Sequence, residues 1–296
     1  MNLIETEGFE KLRDAVSMPA TRGTEIERWA YSFWLGSYNG KNMILALSGY
    51  SAYFDASMNA PQDEMVVAGY LSSLEEWAQF EMAWKLVLAK YDVPYFKMIE
   101  FNGNKKAYSH PKWSTDAYRA QFIQALSGTI TDWTTASIAS RIKKDLFDRY
   151  NEIYELDARF NMYSLCARDC AAQVRKYVRG IPSDAPIAFI FDRGDEGRGF
   201  LIKEMESSGL PSPVFKRSRP DPKLDKDDPF HVQLQACDFA AWELRRGESD
   251  RESGKPPQKL RKSLLTLQHK NKIWTQTLEP DLQGLIQSAG IKKRSI

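Results

Sequence analysis

Hydrophobic and polar positions along this chain fall into runs of two different periods. Short crowded stretches of β-branched and aromatic residues predict strands at Tyr50–Asp55, at Glu64–Leu71 (EMVVAGYL) and at Pro186–Asp192 (PIAFIFD). The last has five consecutive apolar residues before its acid, the pattern of a strand covered on both faces. Shorter strand candidates are Met43–Leu47, Val93–Ile99 running into Glu100, and Val214–Lys216. Helical spacing is clearest after Ser73, where Trp77, Phe80, Trp84, Leu88 and Tyr91 share one stripe. Ser73-Leu74-Glu75-Glu76 has the form of a capping box, with Ser73 as N-cap and Glu76 reaching back to it.

Further helices are expected at Phe9–Val16, Glu25–Trp34, Thr115–Leu126, Asp157–Arg179, Gly197–Ser208 and His231–Arg246. Thr129–Ile138 is compatible with strand or helix. Turns or loops are expected at Ser57–Asp63, at Asn102–Trp113, around Pro182 and Pro186, and at Ser218–Asp228. The layout is therefore an N-terminal helical extension over residues 1–42 and an α/β domain over 43–246. A polar linker (Glu248–Pro257) and a basic helical tail follow over 247–296, with helices at Lys259–Gln268 and Asp281–Ser288.

Composition narrows the class. With 43% hydrophobic and 27% charged residues in a 296-residue chain, a sizeable core is available. The first ten residues carry three glutamates, so no secretory signal is expected, and no apolar run reaches the length of a membrane span. Cys166, Cys170 and Cys237 are few, odd in number and without CxxC spacing, which points to core residues in a reducing cytoplasm. Net charge is only +2, but residues 255–296 hold nine lysines and arginines against two acids. That net +7 leaves the remainder at −5. A basic tail on an acidic body suits either a phosphate-backbone contact or a plain solvated face.

The candidate chemistry lies in acids. Asp55 closes the strand Tyr53-Phe54-Asp55, and Asp192 closes the most apolar strand; ligand sites of α/β sheets gather at the carboxyl ends of strands. Asp238 is the only formal charge in VQLQACDFAAW, on a helical face with His231, Gln235 and Trp242. A carboxylate so near a core is costly unless it is paired or bound to a metal. Alternatively it is a structural acid bonded to a neighbouring helix or an arginine. Crowded carboxylates raise one another's pKa, and a divalent cation removes that penalty. Oxygen-only ligation selects Mg²⁺ or Mn²⁺, the ions of phosphodiester hydrolysis.

At these residues the chain resembles the family known as domain of unknown function 3800. The match rests on Tyr53-Phe54-Asp55-Ala56-Ser57, Val67-Ala68-Gly69-Tyr70 with Glu75-Glu76-Trp77, Ile190-Phe191-Asp192-Arg193-Gly194-Asp195-Glu196, and Leu234-Gln235-Ala236-Cys237-Asp238-Phe239-Ala240-Ala241-Trp242. The resemblance implies a ribonuclease-H-like mixed sheet flanked by helices on both faces, and an acidic metal site. The expected catalytic and metal-binding set is Asp55, Glu100, Asp192 and Asp238. Where the family often has a histidine, this chain has Lys97, three residues before Glu100. Lys97, His231 and Gln235 are the candidate substrate contacts, Lys97 as a point charge for phosphate. The functional expectation is a Mg²⁺- or Mn²⁺-dependent nuclease, with a related phosphatase or nucleotide hydrolase sharing the same logic. The alternative is a non-catalytic nucleic-acid-binding or interaction module of a mobile-element or phage-defence system. Gly194–Gly199 lacks P-loop or dinucleotide spacing and is expected to form a turn, in which Asp195 or Glu196 either caps the next helix or adds a ligand.

Overall fold

The computed structural model describes residues 49–58, 63–179, 187–194, 196–220, 230–254, 256, 262–267, 272–276 and 279–294. The expected helices Phe9–Val16 and Glu25–Trp34, the strand Met43–Leu47, Pro182, Pro186, Asp195 and most of the loop after Ser218 lie outside them.

Among the described residues a six-stranded mixed sheet organises the chain: β1 (Tyr50–Met58), β2 (Glu64–Ser73), β3 (Ala136–Lys143), β4 (Ile187–Asp192), β5 (Val214–Lys216) and β6 (Lys272–Gln276), in the spatial order β5-β4-β1-β2-β3-β6. β1, β2 and β3 form an antiparallel meander, while β4 runs parallel to β1, β5 to β4 and β6 to β3. The parallel pairs need crossovers, and helices supply them.

Alternation along the strands sorts the core into two layers. Tyr53, Val66, Ala68, Tyr70 and Ile190 point to one face, where α1 (Leu74–Lys90), α2 (Met98–Asn102), α3 (Asp116–Trp133), α7 (Val232–Glu252) and α8 (Lys262–Leu267) cover them. Ala52, Phe54, Val67, Leu71, Phe189 and Phe191 point to the other, under α4 (Lys144–Tyr154), α5 (Met162–Arg179), α6 (Arg198–Ser207) and α9 (Glu279–Ser288). The expected α/β fold with helices on both faces is present. Among the described residues no helix is long and apolar enough to cross a membrane.

Most elements fall where the pattern placed them, and the capping box of α1 forms in both directions. Four differ. Val93–Ile99 is not a strand: residues 93–97 join no sheet among the described residues, and Met98 and Ile99 open the short helix α2, which also carries Glu100. The ambiguous stretch divides, α3 ending at Trp133 and β3 beginning at Ala136. α4 follows β3 directly, where no element was expected. The polar linker is in part helix, since α7 continues to Glu252, and the tail is not purely helical, since its β6 joins the sheet edge.

Candidate acidic site

Strand parity and register bring the first two acids together. Asp55 lies two residues after Tyr53 and Asp192 two after Ile190, so both point to the face beneath α7. Phe54 pairs with Phe191 across the parallel strands, so the next residues, Asp55 and Asp192, stand side by side about 5 Å apart in strand spacing. α7 crosses directly above: its Cys237 Sγ donates to the Tyr53 carbonyl at 3.1 Å, which places Asp238 over the same strand ends.

Opposite them runs the segment 96–98, which leads into α2 and is held by α7 side chains rather than by a strand. Gln235 Oε1 accepts from the Phe96 N–H at 2.9 Å, and Asp238 Oδ2 accepts from the Met98 N–H at 2.6 Å. Phe96 and Met98 are themselves fully buried. The residue between them, Lys97, therefore has a fixed backbone and presents its side chain to the acids. Its Nζ lies 2.6 Å from Asp238 Oδ1 and 3.2 Å from Asp55 Oδ2. Burial pulls the Lys97 pKa down, but the charges of Asp55 and Asp238, the bond to Asp238 and the charge of Asp192 outweigh it, and the net shift is upward. Lys97 is thus an ammonium clamped between Asp238 and Asp55, with the negative charge of Asp192 acting on it from nearby.

The remaining oxygens are unequally satisfied. Asp55 Oδ1 accepts from the Ala56 N–H at 2.8 Å, and Asp192 Oδ1 accepts from the Gly194 N–H at 2.8 Å, closing the turn after β4. Asp192 Oδ2 is buried and has no hydrogen-bond partner among the described residues.

Glu100 does not join this group. Its carboxylate is held by Lys106 Nζ at 2.7 Å, Arg219 Nη1 at 3.2 Å and the Tyr95 hydroxyl at 3.0 Å. No sequence signal announced those partners: Tyr95 precedes α2, Lys106 opens a short 3-10 helix after it, and Arg219 comes from a distant loop. The other two expected substrate contacts, Gln235 and His231, are buried. Gln235 is buried, and besides Phe96 it accepts from Trp84 Nε1 at 3.0 Å and donates to the Ser218 carbonyl at 2.8 Å. His231 is buried at the start of α7, its ring 6.1 Å from that of Tyr53. Of the three, Lys97 is the one with an ion pair to the acids.

Nearby groups make structural contacts. The N-cap of α6 is Gly197, without a side-chain cap, so Glu196 does not cap that helix. Arg168 donates to Ser208 Oγ at 3.3 Å and Arg175 to the Gly209 carbonyl at 3.0 Å, tying α5 to the end of α6. Cys166, Cys170 and Cys237 are buried free thiols.

As they stand, the carboxylates do not make a ligand set for a divalent ion: no group of three or more acids, histidines or cysteines among the described residues is placed to hold one. The donor chemistry is right for Mg²⁺ or Mn²⁺, but Lys97 Nζ takes the place between Asp55 and Asp238. The chain matches no family model, no curated protein and no solved structure.

Proposed function

We propose that the chain is a phosphodiester hydrolase acting on nucleic acid, built on a ribonuclease-H-like fold of the domain of unknown function 3800 kind. The observation that carries this reading is the meeting of Asp55, Asp192 and Asp238, from three distant segments, at one partly buried cationic position. Three carboxylates against one ammonium leave an excess of negative charge, and an uncompensated buried charge is costly. Such an arrangement is expected where a cation-dependent reaction is carried out and is hard to account for as packing alone. The mixed sheet with helices on both faces also agrees with the fold. Lys106 and Arg219, both substantially exposed beside Glu100, supply positive charge at the rim for a phosphate backbone.

One observation favours a second reading, a nucleic-acid-binding or interaction module of a mobile-element or phage-defence system: Lys97 stands where a metal ion would. The two separate in one assay. Single-stranded DNA, duplex DNA and RNA are incubated with the protein in Mg²⁺ or Mn²⁺, alongside Asp192→Asn. Cleavage of at least one substrate, reduced a hundredfold or more in the variant, is the expected result. Retention of nucleic acid in a gel-shift with no cleavage by the unaltered protein would favour the binding module.

A further inference from the structure

We propose that Lys97 is the resident cation of this acidic site, and that its side chain must swing out before Asp55, Asp192 and Asp238 share a divalent ion. The inference rests on reading these carboxylates as a cation site; it does not depend on cleavage of nucleic acid.

Three features carry it. First, the ammonium occupies the position itself, bridging Asp238 and Asp55 at 2.6 and 3.2 Å. Second, one positive charge does not complete the site. Asp192 is only 9% exposed, its charge acts on Lys97, and its Oδ2 has no partner among the described residues. A buried carboxylate oxygen without a donor, beside two carboxylates already held by a cation, is a ligand position still open. Third, the lysine is built to move only at its side chain. Its backbone is gripped through Phe96 and Met98 by Gln235 and Asp238. The side chain is 21% exposed, which leaves a route to solvent through rotation of its own torsions.

The chemistry then becomes a competition. A divalent ion binds only the Lys97-out conformer, so its apparent affinity is lowered by the fraction of molecules in that conformer. An exposed phosphate that draws the ammonium outward would assist the exchange, coupling ion entry to arrival of a polyanion. Lys97 is in this sense a positioning and gating residue.

The test uses Mn²⁺ alone, with titration calorimetry and thermal unfolding on the full chain and on Lys97→Gln and Lys97→Met. Lys97→Gln keeps a neutral donor on a side chain one atom shorter. Removal of the ammonium is expected to tighten Mn²⁺ binding at least about tenfold. It should also make the variants' melting temperature rise with Mn²⁺ by several degrees more than that of the unaltered chain. Adding Asp192→Asn to Lys97→Gln is expected to abolish the gain. If either lysine variant is unfolded without the ion, recovery of its circular dichroism in Mn²⁺ supports the proposal, and failure of both to recover overturns it. Equal Mn²⁺ affinity with and without Lys97, or binding in none of the proteins, overturns it as well. Tightened Mn²⁺ binding without nuclease activity in any protein would leave the gate standing and remove the hydrolase.

Discussion

A methyl group at position 69 would lie 1.8 Å from the Tyr53 carbonyl oxygen and 2.6 Å from the Phe54 ring. Gly69 faces Phe54 across the β1–β2 pair, so close approach of the central strands depends on the missing side chain. The obstacle is backbone and cannot rotate away. Gly69→Ala is therefore expected to lose about 3 kcal/mol, the upper end for overpacking, measurable by urea unfolding. An unchanged midpoint would show that β1 and β2 are further apart than described. Lys97 makes a second prediction at this scale. Its pKa is raised above the ordinary lysine value of 10.5. The stability it contributes is thus fully present below that value and is lost only as pH climbs through the higher folded one. Lys97→Met leaves Asp55 and Asp238 without their cation and is expected to cost about 3–5 kcal/mol in metal-free buffer. That gap should hold constant from pH 7 to 10; a gap closing over that range would show that the ammonium is not clamped.

Among the elements, α1 shows how a local signal becomes tertiary structure. Glu76 closes the capping box, and the same Oε2 accepts from Ser72 and from Thr135 Oγ1 at 2.8 Å, joining the start of the helix to the end of β2 and the entry to β3. Burial pushes its pKa up, but the bonds from Ser72, Thr135 and Ser73 outweigh that, and the net shift is downward. A lowered carboxyl contributes stability above its free value of 4.5 that is lost as pH falls through the folded one. Glu76→Gln should therefore be less stable than the unaltered chain at pH 7, with the difference shrinking below pH 4.5; thermal melts across that range check it. α1 was legible because its cap, stripe and apolar run all agree in one short window. Val93–Ile99 was not, because its apolar residues enter an aromatic layer with Phe122 and Phe239, and its N–H groups meet Gln235 and Asp238. Those partners lie about 140 residues away, beyond any periodicity. The site divides the same way. Asp55, Asp192 and Asp238 could be singled out from strand ends and from a lone charge in an apolar helix. The clamp on Lys97 and the capture of Glu100 by Lys106 and Arg219 depend on tertiary neighbours alone.

For the molecule as a whole, the C-terminal segment decides how the sheet ends. Its charge alone suggested a phosphate contact or a solvated face; folded, it pairs β6 along β3 from Ser137 to Arg141 and covers an edge that would otherwise offer unpaired N–H and C=O groups. It also buries Leu264 and Leu267 in one core layer and Leu282 and Ile286 in the other, so it closes both faces of the sheet. Each such side chain contributes about 2 kcal/mol on burial, and four together rival the ~5–15 kcal/mol total of an ordinary domain. Some of that is offset by the entropy of ordering the segment, but the exposed edge and the two uncovered apolar strips remain. A chain ending after Gly254 is therefore expected to melt at least about 10 °C lower and to self-associate on size exclusion. The acidic site lies at the far side of β1 and α7, away from the lost strand, so any truncated monomer should keep the Lys97–Asp238 contact and its response to Mn²⁺. A truncated chain that stays monomeric with an unchanged melting temperature would mean that β6 adds nothing to the sheet, and that the basic tail is free to serve another surface.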